Sequence, residues 1–369
     1  MGKLRLFLII LGLVFVILII IGILSPKETQ PTPPPENETN ETPGIETGEM
    51  RTFEMGFVPI PAQPLTTEAW LSAFTLFGDN ADFTLHHSAI DWEKFVDSSD
   101  AERTAASTPN LETVNFIGLM SRQNNLKLLI VIDPLRADRD EIDSKLPADI
   151  GENFGDEKVR KAFKNYAVRI AKDYKPEYLG LGSEINTYMN KHPEDVSNLV
   201  SLIDETILLV RRESPNTKIT STFQYEGLIG KVENAQWNTF AEIEPELDIV
   251  SITTYPSPWF NTPDEISEDY YNEIKEHTTK PIIIAESGWP TGGSSNFHGS
   301  DLNQKEFVEI FPELIKDVNV KLWIWWFPHD WDGEGYPDFF KTMGLRTSNG
   351  APKSSWDSWQ RIYNLKEQI

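Results

Sequence analysis

The chain has 369 residues, with 57 acidic against 33 basic side chains and a net charge of −24. That balance argues against nucleic acid or anionic lipid as a partner, since both require a basic face. There is no cysteine, so disulfides, thiolate metal sites and a thiol nucleophile are excluded.

Residues 6–24 form an unbroken run of apolar residues and glycine. Nineteen residues at about 1.5 Å rise span roughly 29 Å, close to the thickness of a bilayer core. Lys3 and Arg5 precede the run, which places residues 1–5 in the cytoplasm and the rest of the chain outside. The alternative is a cleaved secretion signal. Its apolar region is normally about 7–15 residues long and ends in a small-residue site. Leu24-Ser25-Pro26-Lys27 supplies no such site, so the run is expected to be a signal-anchor in the lipid bilayer. Residues 25–50 follow as a linker, with Pro31, Pro33, Pro34 and Pro35 set among Glu and Thr. Such a composition cannot bury a core and favours extended chain. The linker carries two glycosylation sequons, at Asn37 and Asn40, which suit an exported stalk.

Residues 51–369 are expected to form one domain. Short apolar runs fall at 53–60, 83–87, 126–133, 178–184, 218–224, 248–255, 281–286 and 320–327. Helical patterns lie between them, most clearly at 156–174, 196–212, 264–277 and 303–316, and a last one falls at 354–365. Eight strands alternating with helices predict a (β/α)₈ barrel, and near-continuous Ile, Val and Leu fit parallel strands buried on both faces. The rival, an open doubly wound sheet, often carries a glycine-rich loop after its first strand. Here that strand ends Phe57-Val-Pro-Ile-Pro-Ala62, without one.

In a barrel the chemistry sits at the C-terminal strand ends. The fourth run ends Leu179-Gly-Leu-Gly-Ser-Glu184 and the seventh ends Ile282-Ile-Ile-Ala-Glu286. Each puts a Glu directly after an apolar run, where a charge is costly unless paired or functional. The two strands stand far enough apart in the ring to face each other across the mouth. Two carboxyls, one protonated and one ionised, are what retaining cleavage of a glycosidic bond requires. The bland alternative is a pair of buried structural carboxylates matched to Arg or Lys.

The stretch Ile282-Ile-Ile-Ala-Glu-Ser-Gly-Trp-Pro-Thr291 resembles the nucleophile motif of plant-type endo-β-1,3-glucanases, members of glycoside hydrolase clan A. Ser251-Ile-Thr-Thr-Tyr255-Pro-Ser-Pro-Trp259 is similar to the strand-six motif of arabinogalactan endo-β-1,4-galactanases. The resemblance implies that Glu184 is the acid/base, that Glu286 is the nucleophile and that Tyr255 hydrogen-bonds it. Leu322-Trp-Ile-Trp-Trp-Phe-Pro328 suits the clan's strand-eight aromatic platform. Strand neighbours alternate, so Trp323, Trp325 and Trp326 cannot all face a sugar; Trp326 is the expected platform. The clan usually has Asn before the acid/base, where it binds the sugar 2-hydroxyl. Ser183 stands there instead, with Asn186 as a substitute.

Further substrate contacts are expected from His86, at the end of the second run, and from Trp289, on the loop after the seventh. Trp259 is a second loop residue of that kind. Asp133 ends the third run and is equally a substrate contact or a structural cap. His86 and His87 point to opposite faces and do not chelate one metal. His329-Asp330-Trp-Asp332 is set aside as a metal motif, and no Gly-x-Ser-x-Gly, Walker or His-Glu-x-x-His pattern occurs. No cofactor and no metal are expected. The function expected is hydrolysis, or transglycosylation, of a β-linked glycan. The rivals are a non-catalytic glycan-binding barrel and a metal-dependent barrel hydrolase, the latter disfavoured because the first strand has no His-x-His.

If Lys3 and Arg5 orient the anchor, protease added to intact cells releases a fragment beginning within residues 25–50. A domain protected until lysis contradicts that orientation.

Overall fold

The computed structural model describes residues 50–96, 107–143, 146–147, 150–294, 297–331 and 337–367. The expected anchor, the linker up to residue 49 and both sequons lie outside the described residues, as does Asp332. Among the described residues no helix is long and apolar enough to cross a membrane.

Eight parallel strands close into a barrel. They are β1 (Glu54–Phe57), β2 (Phe83–Ala89), β3 (Lys127–Asp133), β4 (Tyr178–Leu181), β5 (Lys218–Thr220 and Thr222–Gln224), β6 (Val250–Thr254), β7 (Ile282–Ser287) and β8 (Val320–Trp325). The ladder runs from the first half of β5 through β4, β3, β2, β1, β8, β7 and β6 to the second half of β5. The ring therefore closes through β5, which is broken at Ser221. That residue is buried, and its hydroxyl donates to Leu181 O at 3.0 Å.

Inside the ring Phe83, Leu85, Leu129, Val131, Tyr178, Ile249, Ile283, Ala285, Leu322 and Ile324 form one buried cluster. Gly180 belongs to the same packing, since a Cβ there would lie 2.9 Å from Val131 Cγ2. A larger cluster fills the space between the ring and its helices. The long helices are α1 (Thr67–Asn80), α2 (Pro109–Gln123), α3 (Glu157–Tyr174), α4 (Val196–Glu213), α5 (Trp237–Ile243), α6 (Asp301–Leu314) and α7 (Ser354–Tyr363). Four of the seven starts carry side-chain caps: Thr66 accepts from Ala69 N, Thr108 from Leu111 N, Asp156 from Lys158 N and Val159 N, and Ser300 from Asn303 N.

The sixth crossover departs from expectation. In place of a helix over 264–277 there are two short 3₁₀ turns, Pro263–Glu265 and Asn272–Glu276. The segment holds Asp264, Glu265, Glu268, Asp269, Glu273 and Glu276 against Lys275. As a helix it would set like charges four residues apart. The turns instead carry Tyr270 and Tyr271 in under β6, where Thr254 Oγ1 meets the Tyr271 hydroxyl at 2.9 Å.

Candidate active site

Glu184 follows β4 with φ +49° and ψ 41°, in the left-handed region that non-glycine residues seldom occupy. Both its oxygens are held. Thr253 Oγ1 donates to Oε1 at 2.7 Å, and Arg139 Nε donates to Oε2 at 3.1 Å. Arg139 comes from the loop after β3 and is itself left-handed, with φ +57°. Its guanidinium also donates to Asp133 Oδ2 at 2.7 Å and to Ser183 Oγ at 3.2 Å. Burial opposes its charge, but the carboxylates of Asp133 and Glu184 outweigh that and raise its pKa, so it is a fixed cation. Two of the four left-handed non-glycine residues among those described are thus ion-pair partners at one site. Strain of that kind persists where the surroundings over-determine it.

Glu286 is buried, with its side chain 7% exposed. The Tyr255 hydroxyl donates to Oε2 at 2.8 Å. His87 Nε2 stands 3.0 Å from Oε1 but out of line for a hydrogen bond. Ile283 and Ala285 of the same strand face the barrel interior, so strict alternation would turn Glu286 outward. A bulge prevents this. Ile252 pairs with Ile284 and Thr253 with Glu286, so Ala285 is the extra residue, and Glu286 is re-aimed into the mouth.

The end of β6 links the two glutamates. Thr253 holds Glu184 and Tyr255 holds Glu286, while Thr254 Oγ1, facing the other way, donates at 2.6 Å to Oε1 of a third carboxyl, Glu226. Burial, followed by the Glu286 charge and then the Glu184 charge, drives the Tyr255 pKa well above its ordinary value, so this phenol stays a donor. Beside the pair lies a cavity of about 500 Å³ lined by His87, Asp133, Leu135, Arg136 and Asp138 among others.

The sequence-predicted residues divide. Glu184, Glu286, Tyr255 and Asp133 come together, with Asp133 accepting both from Arg139 and from Leu135 N at 3.2 Å. Trp326 joins them: it packs against the interior cluster, with its ring edge-on to His87 at 5.4 Å and its indole N–H without a partner. Trp323 and Trp325 face the helices and are fully buried.

Four expectations are corrected. His86 shares its face of β2 with Thr84 and Ser88, which bond to residues of α2 and α3. It therefore looks toward the helices, and burial, with the neighbouring His87 charge, pushes its pKa down to about 3. The histidine in the mouth is His87. Ser183 is fully buried behind Arg139. Asn186 is also fully buried, and its amide is used up on Gln224 N, Gln224 O and Gln236 Oε1 at 2.6 to 3.1 Å. Trp289 is core, packed against Phe307, whereas Trp259 is 38% exposed on the rim. His329 is buried and bonds Ile60 O, and Asp330 accepts from Lys353, so both are structural; no metal cluster occurs among the described residues.

Arg139, Thr253 and Glu226 escaped the sequence. Alternation back from Tyr255 points to Thr253. Glu226 stands two residues beyond the end of β5, past the strand-end positions where an ionisable group draws notice. Arg139 lies in a loop with no motif; its one signal is a basic residue near the mouth in an acidic chain.

No family model matches the chain, and no curated protein matches it in sequence. Its fold is that of solved barrels. It is similar to an exo-β-1,4-mannosidase from an Opitutaceae bacterium, with a TM-score of 0.64 and 13% identity over 86% of this chain and 60% of that one. It is also similar to the protein GH5_18 from Streptomyces cattleya solved with GlcNAc, with a TM-score of 0.63 and 15% identity over 85% and 80% of the two chains. A β-D-glucuronidase from Dictyoglomus thermophilum gives a TM-score of 0.56 and 15% identity over 86% and 51%. The chain thus spans between half and four-fifths of these proteins' lengths. At such identities the likeness shows the fold alone, a (β/α)₈ barrel.

Replacing Arg139 tests the clamp. Removing one partner from a buried pair costs about 3–5 kcal/mol, and residual exposure here lowers that to about 2–4. Arg139→Met should lose this much in urea unfolding. A loss below about 0.5 kcal/mol, the ordinary range for a surface substitution, would show that Asp133 and Glu184 do not depend on it.

Proposed function

We propose that the chain is a retaining β-glycosidase whose nucleophile is Glu286 and whose acid/base is Glu184. The observation that carries this is the pair of carboxyls at the ends of β4 and β7, held by Thr253 and Tyr255 of one strand. A structural carboxylate needs only charge compensation, which Arg139 gives Glu184. Glu286 has instead a phenol, a histidine and a bulge that aims it at the opening.

In the first step a Glu286 oxygen attacks the anomeric carbon and the bond to the leaving oxygen breaks. Glu184 passes a proton to that oxygen. In the second step Glu184 takes a proton from water, which attacks the same carbon and frees Glu286. Tyr255 fixes the nucleophile's angle and stabilises its charge between turnovers. Trp326 offers the sugar a ring face, and His87 and Asp133 line the cavity where hydroxyls can reach them.

The substrate class is a neutral β-linked glycan. The named residues lining the cavity include Asp133 and Asp138, and Arg136 there is already paired with Asp138 and Glu141. A uronate would meet these acids. The glucanase-like and galactanase-like motifs around Glu286 and Tyr255 support a neutral hexose without choosing one; the neighbours, which include both a mannosidase and a glucuronidase, do not decide it. Residues 6–24 hold the enzyme on a membrane, with the barrel outside on its stalk; the apolar run and its flanking Lys3 and Arg5 support this.

Two variants separate the roles on a dinitrophenyl β-glycoside. Dinitrophenolate needs little protonation to leave, so Glu184→Ala should release a burst and then stall. Azide should rescue it and give the β-glycosyl azide. Glu286→Ala forms no covalent intermediate, and azide should give the α-azide. Exchanged anomers would reverse the assignments. Wild-type rates in both variants would leave a barrel that binds glycan without cleaving it.

A further inference from the structure

Glu226 has no part in the two chemical steps, yet it is among the most buried carboxyls described, at 2% exposure. It is the second residue of the short helix Tyr225–Leu228 that follows β5. Its Oε1 collects three donors: Thr254 Oγ1 at 2.6 Å, Tyr255 N at 3.2 Å and the Tyr270 hydroxyl at 3.3 Å. The Thr254 hydroxyl in turn meets the Tyr271 hydroxyl at 2.9 Å. Two of these donors belong to the last turn of β6, immediately before the phenol that holds Glu286. The carboxyl therefore grips the backbone from which Tyr255 projects. Tyr255 is also where β6 stops being a strand, so the ladder with β7 ends at Thr254 and Ser287 and does not fix it. The Tyr255 ring is packed edge-on by Phe339 and Phe340, which leave its in-plane reach toward Glu286 to the backbone.

We propose that Glu226 is a positioning residue for the nucleophile: it fixes the β6 turn so that the Tyr255 hydroxyl meets Glu286. This rests on Glu286 being the nucleophile. The titratable groups facing Glu226 are phenols: Tyr225 beside it, Tyr255 from β6, and Tyr270 and Tyr271 from the sixth crossover. Burial raises its pKa to about 7, against the hydrogen bonds from Thr254, its own backbone, Tyr255 and Tyr270. The folded chain then holds this proton more tightly than the unfolded one. Folding stability from this group is full below pH about 4.5, falls as pH rises to about 7, and stays at its lower level above that.

The test uses Glu226→Gln, Glu226→Ala and Tyr255→Phe. Gln keeps an oxygen acceptor in place of Oε1, whereas Ala keeps none. Crystal structures of the first two should retain the 2.8 Å contact between Tyr255 and Glu286 in the Gln variant and lose it in the Ala variant. An unchanged contact in the Ala variant overturns the proposal. In rates, Glu226→Ala should lower kcat about tenfold or more with KM little changed, and Gln should recover most of the loss. Combined with Tyr255→Phe, the Ala change should cost nothing further, because both act through one phenol. Additive losses overturn it. If the Ala chain does not fold, Thr254→Val removes one donor and takes its place, with a smaller loss and the same non-additivity. The melting temperature of Glu226→Gln relative to wild type should climb between pH about 4.5 and 7 and then level; parallel curves would show that the carboxyl is not held as described. If the wild-type chain cleaves no glycoside, the enzymatic reading falls, while the contact and the melting curves still decide the role of Glu226.

Discussion

Glu184, Glu226 and Glu286 all sit at the C-terminal mouth with little solvent contact. There a carboxylate must find donors or give up its charge. Arg139 is the cation bonded to one of them, and it is shared with Asp133. The other donors are hydroxyls and a backbone N–H, and most come from three consecutive residues. The side-chain hydroxyls of Thr253, Thr254 and Tyr255 each bond a different glutamate. The alternation of a strand makes this possible. Thr253 and Tyr255 face the mouth, Thr254 faces the helices, and one strand end serves three carboxyls on two sides.

Three departures from regular geometry fall on the same groups. The bulge at Ala285 turns Glu286 inward, and Glu184 and Arg139 both adopt left-handed backbone. Each costs local stability, of order 1–3 kcal/mol for a left-handed side-chain residue. The surrounding barrel, closed through β5 and filled with branched and aromatic side chains, supplies the rigidity that holds them. The Arg139 pair also has a chemical consequence. Glu184 is held by a cation and a hydroxyl. To act as an acid it must meet a substrate oxygen in place of one of these donors. The loop that carries Arg139 also lines the cavity, through Leu135, Arg136 and Asp138.

Much of this was legible from the chain. All eight strands follow from the spacing of apolar runs, because parallel strands buried on both faces need long stretches of Ile, Val and Leu. Glu184 and Glu286 stood out because each is a charge ending such a stretch. Side-chain direction was harder. A strand buried on both faces has no polar side to fix its parity, so the sequence does not distinguish His86 from His87; in the structure Phe83 and Leu85 face the interior, and His87 shares their parity. Local polarity also misled for Asn186 and Trp289. Asn186 stitches β4 to β5 and α5 with hydrogen bonds that no spacing reveals, and Trp289 on its loop folds back into the core. The segment 264–277 showed helical spacing, but its crowded acids and the pull of Tyr270 and Tyr271 toward Glu226 gave turns.

If Glu286 is the nucleophile, a covalent bond to the sugar forms there in every turnover. The most direct test is to incubate the chain with a dinitrophenyl 2-deoxy-2-fluoro-β-glycoside of a sugar it cleaves, then digest it and sequence the labelled peptide by mass spectrometry. Fluorine at the 2-position slows both steps, and the good leaving group restores only the first, so the intermediate accumulates. One fluoroglycosyl group per chain is expected, carried on Glu286, with no labelling of Glu286→Gln. A label on Glu184, or steady turnover of the parent glycoside with no trapped adduct, would contradict that role.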